Sequence, residues 1–198
     1  MEGITDRDQY AERSCRLWTD VRSFGQLFAF RAKDKSGVSI GIRGPVSIHP
    51  AVSASPVDIV SMQITKSVNG GASGGRASDT MGSKHMVRFG LYEIRGAVNV
   101  QLAEKTGFSE EDAATLKECL RTLFENDSSS ARPEGSMEVI KVFWWEHNCA
   151  SGQYSSAKVH RSLSIKLKNG VLFPSDVDDY TIAVSELPDL KPEIIEGI

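Results

Sequence analysis

Tyr10, Ala11, Cys15, Trp18 and Val21 recur at the spacing of one helical face, directly after Thr5-Asp6-Arg7-Asp8, which has the form of a capping box. That spacing predicts an amphipathic helix over 6–19. The pattern then changes to the two-residue period of strands. An aromatic-rich run over 24–31 predicts one strand, and the alternation of Val38, Ile40 and Ile42 predicts a second, ended by Gly44-Pro45. After the turn-rich PAVSASP, residues 57–68 read as a third strand. Residues 86–99 read as a long return strand, with Val87, Phe89 and Leu91 on one face and Met86, Tyr92, Ile94 and Val98 on the other.

Helical spacing returns at Leu116, Cys119, Leu120, Leu123 and Phe124. The capping box Ser109-Glu110-Glu111-Asp112 opens this helix, which ends near Asn126. A polar link, DSSSARPEGS, leads to an apolar strand over 137–146 that contains Trp144-Trp145. A small-residue loop over 150–156 precedes an alternating strand over 159–167. Asn169-Gly170 signals a tight turn into 171–173, and a last short strand is predicted at 180–184 before an acidic tail, 185–198. Strands mixed with two amphipathic helices predict an α+β fold, with helices on one face of an antiparallel sheet. The favoured plan is a single RRM-like (ferredoxin-like) split βαβ domain over 1–198.

Between its strand-like arms, the stretch 62–99 has a middle with almost no hydrophobic residues and five glycines, Gly70, Gly71, Gly74, Gly75 and Gly82. Such a long coreless loop is usually functional or disordered. From residue 66 to 88, four Lys/Arg face one Asp, a local charge of +3 in a chain of net charge −3. Residues 171–198 carry seven acids and one lysine, so the remainder is net basic. The polarity excludes a protein that coats nucleic acid over its whole surface and points to a local contact with an anionic polymer, nucleic acid first. Cys15, Cys119 and Cys149 are widely spaced with no metal-ligand pattern, which fits a reducing cytoplasm and gives no zinc site. No apolar run is long enough for a membrane span and MEGITDRDQY is not a signal peptide, so a soluble cytoplasmic protein without cofactor or membrane partner is expected.

The ordered blocks DVRSFGQLFAF, SIGIRGPVSI, ITKSVN, SDTMGSKHMVRFGLYEIRGAVN and ARPEGSM…WWEH resemble the backbone subunit of type I CRISPR surveillance complexes (Cascade). The closest branch is the Csd-type form of subtype I-C, within the RAMP superfamily. The similarity runs from about residue 18 to 184. The resemblance implies an RRM-like palm, a protruding β-hairpin thumb over 66–88, and several copies stacked head-to-tail along a guide RNA (crRNA). It also implies other Cascade subunits as partners, and target DNA reached through guide pairing. Family members begin with a strand and an Asn/Gly/Asp-rich segment. This chain starts directly at a helix, so the first palm strand is expected to be missing and RNA binding to be weaker than with it.

Lys66, Asn69, Arg76, Lys84, His85 and Arg88 are the candidate RNA contacts: Lys and Arg would neutralise phosphates, while Ser67 and Asn69 could bond phosphate or sugar oxygens without reading sequence. The alternative is a solvated surface loop. Arg22, Arg43 and Arg132 are outlying candidates, with Arg132 equally able to pair with Glu134. Met81 could wedge between bases. Phe24, Phe28, Phe30, Trp144 and Trp145 suit a core better than RNA stacking.

The rival class is a RAMP-type endoribonuclease cutting guide precursor or target RNA. It would draw a base from His49, His85, His147 or His160, or use Asp79 in the loop. No metal-binding spacing supports it. NGGASGGRASDT lacks the GxxxxGK[ST] form and does not lie between a strand and a helix, which excludes a phosphate loop. A non-enzymatic, sequence-independent guide-RNA scaffold is the expected function.

Overall fold

The computed structural model describes residues 7–32, 35–65 and 81–198. In chain order the first elements are α1 (Arg7–Leu17), α2 (Thr19–Phe24), β1 (Gly25–Ala32), β2 (Lys35–Arg43), β3 (Val46–Ile48) and β4 (Val52–Ser53). There follow β5 (Ile59–Thr65), β6 (Met81–Val87), β7 (Tyr92–Glu93), β8 (Gly96–Val98), α3 (Val100–Thr106) and α4 (Glu110–Arg121). The last are β9 (Lys141–Trp145), α5 (Ser156–His160), β10 (Leu163–Leu167), β11 (Tyr180–Val184) and β12 (Pro192–Glu196). Helices mixed with small antiparallel sheets make this an α+β arrangement. Among the described residues every sheet is a two-stranded ladder.

The chain divides into two compact units. The first comprises Met1–His49, Arg95–Ser162 and Ser185–Ile198. It holds the five helices and the ladders β1–β2, β3–β8 and β9–β12. Its apolar centre is Val159, Leu187 and Leu190, against which Trp145 and Tyr154 pack. Tyr154 also donates its hydroxyl to the Pro188 carbonyl at 3.0 Å. The second unit comprises Pro50–Ile94 and Leu163–Val184 and holds β4–β7, β5–β6 and β10–β11.

Several elements differ from the sequence pattern, each for a local reason. The strand expected at 24–31 begins only at Gly25, because a short helix runs through Phe24. Gly25 has φ +81°, and a Cβ there would lie 2.2 Å from the Ile42 carbonyl oxygen. A Cβ on Gly44 would lie 2.3 Å from the Ser23 carbonyl oxygen. The FG and RGP blocks are thus two chain segments in direct backbone contact, which only glycine permits.

The return strand expected over 86–99 is three short strands with three different partners. β6 pairs with β5, β7 with β4 and β8 with β3. Gly90 marks the first break, where a side chain would collide with the Tyr92 ring. Alternation had also concealed α3, whose Asn99 cap accepts the Leu102 N–H at 3.0 Å and whose Gly107 ends it in the left-handed region. Residues 156–160 are helical with Ser155 as cap, so the strand expected from 159 starts at Leu163.

No strand forms at 171–173; Leu172 and Phe173 stand exposed there instead. The acidic tail is not a solvated extension. Leu187 and Leu190 enter the core, and β12 pairs with β9 residue for residue from Pro192↔Trp145 to Glu196↔Lys141. Two of its four acids are paired: Lys141 bonds Glu196 at 2.7 Å and Lys117 bonds Glu193 at 2.6 Å. The capping box opening 6–19 includes residues outside those described, whereas the one at Ser109 is present in full.

Candidate nucleic-acid interface

Of the stretch 66–88 only residues 81–88 lie within the described residues, and there β6 pairs with β5 as a two-stranded ribbon. Its register runs from Ile59↔Val87 to Thr65↔Met81. Directly opposed residues share a face. One face therefore carries Val60, Met62 and Ile64 against Met86, Lys84 and Gly82. The other carries Ser61, Gln63 and Thr65 against His85, Ser83 and Met81. The first face is apolar around the Lys84 stem, the second mostly polar.

The polar face is internally bonded. Ser61 Oγ and His85 Nδ1 share a hydrogen bond of 2.8 Å, and Gln63 Nε2 donates to Met81 Sδ at 3.1 Å. At the ribbon base, Arg88 Nε donates to Asp58 Oδ2 at 2.9 Å, with both side chains more than 60% exposed. Nearly every ribbon residue is solvent-exposed, including Met62, Ile64 and Met81. A two-stranded hairpin with this little burial is marginal in water on its own.

The ten candidate contacts fall into three groups. Lys84 and His85 lie on opposite faces of the ribbon, and Arg88 at its base. Lys66, Ser67, Asn69 and Arg76 lie outside the described residues, as does Asp79. Arg22, Arg43 and Arg132 belong to the other unit.

Arg22 is engaged inside the protein. Its Nη2 and Nε donate to Asp112 Oδ1 and Oδ2 at 2.5 and 2.8 Å, and Nη1 donates to the Cys15 carbonyl at 2.7 Å. Asp112 also accepts the Ser109 N–H at 2.9 Å and the Ser109 hydroxyl at 3.1 Å. The hydrogen bond from Arg22, reinforced by those from Ser109, lowers the Asp112 pKa to about 2. The same partner raises that of Arg22, while burial pushes the Cys15 thiol up.

Arg132 pairs with Asp127 at 3.0 Å, not with Glu134, in a polar pocket of about 230 Å³ that also contains Asn126, Ser128 and Ser136. Arg43 is exposed at the end of β2.

The sequence reading missed Ser61 and Asp58 as partners of His85 and Arg88. Alternation could have paired Ser61 with a strand neighbour, but only the register identifies which one. Three of the four histidines of the nuclease alternative have packing or hydrogen-bonding partners outside the ribbon. His160 Nε2 bonds the Gly96 carbonyl at 3.1 Å and its ring packs edge-on against His49; His147 Nδ1 accepts the Gln153 N–H at 3.0 Å. Among the described residues no group of three or more His, Cys, Asp or Glu is placed to hold a metal ion. No described helix is long and apolar enough to cross a membrane.

The geometry is that of an α+β protein with an exposed ribbon that carries Lys84 along its length and the Arg88–Asp58 pair at its base. Residues 3–185 match the family model of CRISPR-associated protein Cas7, and the chain belongs to that family. Membership implies a CRISPR-associated, RNA-binding backbone subunit that binds guide RNA and assembles with other subunits of its complex. No curated protein matches the chain.

Proposed function

We propose that the protein is a non-catalytic scaffold of a cytoplasmic RNA-guided complex, several copies of which polymerise along one guide RNA. The exposed β5–β6 ribbon in a Cas7-family chain carries this reading, because Lys84 and Arg88, two of the four cations in the +3 stretch 66–88, lie on it and at its base with His85 beside them in sequence. Lys66, Ser67, Asn69 and Arg76 extend the same grip into the thumb. Lysine and arginine neutralise phosphates, and serine and asparagine bond backbone oxygens, so binding is indifferent to base identity. Target DNA is then read by guide pairing alone. The resemblance of the ordered sequence blocks supports assignment to the Csd-type, subtype I-C branch, and the RRM-like palm belongs to the same reading.

Copy number tests the proposal. Sedimentation of the full chain with unrelated single-stranded RNAs of increasing length should show bound copies rising in proportion to length. One copy per RNA at every length would refute polymerisation. The nuclease reading is disfavoured by membership of a backbone-subunit family; cleavage of guide precursor, lost in His85→Ala or Asp79→Ala, would revive it.

A further inference from the structure

The turn joining β10 to β11 presents the two most exposed large apolar side chains among the described residues. Leu172 is 82% and Phe173 87% accessible. This turn is held in shape by its own bonds. The β10–β11 ladder below it is paired without a slip from Leu163↔Val184 to Leu167↔Tyr180. Lys168 N–H donates to the Asp179 carbonyl at 2.9 Å and Val171 N–H to the Lys168 carbonyl at 3.2 Å. On the return side, the Asp179 carboxylate accepts the Ser175 and Asp176 N–H groups at 2.8 and 3.1 Å. Pro174 restricts Phe173 to extended backbone. Two large apolar side chains on a braced projection mark a contact site.

The charges around the tip select the class of partner. Lys166 and Lys168 are outnumbered by Asp176, Asp178 and Asp179, so phosphates are not attracted there. A protein surface that is apolar and carries a cation is the complementary partner. This chain has such a surface in its other unit, where Phe24, Leu27, Gly41, Ile42 and Arg43 line one shallow depression. Phe24 is 53% and Leu27 67% exposed.

We propose that the Leu172–Phe173 tip of one copy docks in the Phe24/Leu27/Ile42 depression of the next, with Arg43 facing Asp176 and Asp178. The contact joins two different surfaces, so it adds copies without closing. It rests on the polymerising reading above and supplies its protein–protein element. Arg43 thereby serves the copy-to-copy contact and not the RNA grip.

The test uses the full chain on long single-stranded RNA, followed by sedimentation and by disulfide trapping. Phe173→Ser and Leu27→Ser should each raise the protein concentration needed for multi-copy assembly by about tenfold. Affinity for an RNA short enough for one copy should be unchanged. In a Cys119→Ser, Cys149→Ser background, Phe173→Cys mixed with Leu27→Cys on RNA should yield a disulfide-linked pair, and neither variant alone should.

Wild-type assembly by both serine variants, with no cross-link, overturns the contact and leaves the polymerising scaffold standing. Failure of the unaltered chain to gather more than one copy per RNA overturns the scaffold and the contact together. A loss of short-RNA affinity in Phe173→Ser overturns the proposal in favour of base stacking by the tip.

Discussion

Arg22 and Arg88 each pair with an aspartate at hydrogen-bonding distance, yet the two pairs sit in opposite surroundings. Arg22 and Asp112 are 18% and 9% exposed, and their fork also binds the Cys15 carbonyl and connects to the Ser109 cap. Arg88 and Asp58 are 69% and 63% exposed at the base of a ribbon with almost no core. A desolvated pair that loses one partner leaves an uncompensated charge, whereas an exposed pair exchanges its partner for water at little cost. The first unit therefore uses its pair to hold structure, whereas the pair at the ribbon of the second stays at the solvent surface.

The largest effect is expected from Asp112→Ala, which strands the Arg22 guanidinium and removes one half of the capping box. Urea unfolding should show a loss of about 3 kcal/mol. A change below about 1 kcal/mol would place Arg22 among the solvated arginines after all.

Acid comes next. Asp112 is held at about pKa 2, below its ordinary value of 3.8. Between those values the unfolded chain binds the proton more readily, so stability present above pH 4 is lost as pH falls toward 2. The loss from this group is on the order of 2 kcal/mol. Asp112→Asn should remove that component from the stability profile, whereas an unchanged profile would assign the acid sensitivity elsewhere.

Effects on the ribbon are smaller in stability and larger in binding. Lys84→Ala and Arg88→Ala should each flatten the dependence of log affinity on log salt by about 0.7 for single-stranded RNA. Their effect on unfolding should be within about 0.5 kcal/mol. The smallest stability change is expected for Asp58→Ala, again within about 0.5 kcal/mol, because its ion pair is exposed. Freed from Asp58, Arg88 should bind RNA somewhat more tightly, which a filter-binding titration would detect.

The same contrast explains what could be read from the sequence. Local signals were sufficient for the capping box at Ser109, the first ribbon arm from Ile59, and the strand at Tyr180, because spacing and caps are encoded within a few residues. The second arm starts at Met81, five residues before the alternation that predicts a strand from Met86. Partner choice was not legible. The run from Met86 to Asn99 alternates like one strand, but Gly90 and Gly96 approach other groups closely and the run is divided among three partners. Arg22 was equally opaque as a candidate RNA contact. Its partner lies 90 residues away, and composition does not separate a buried arginine from an exposed one. The acidic residues of the tail suggested solvent, while the deciding residues were Leu187 and Leu190, which enter the core.

The central claim is that the ribbon and its loop grip an RNA backbone without reading bases. Titration of the full chain with several unrelated single-stranded RNAs of equal length, across a salt series and in parallel with Lys84→Ala, tests it most directly. The account predicts dissociation constants agreeing within about threefold among sequences, parallel salt dependences, and an equal loss for every RNA in the variant. Tight binding confined to one sequence, or a Lys84→Ala loss seen with only one RNA, would contradict it.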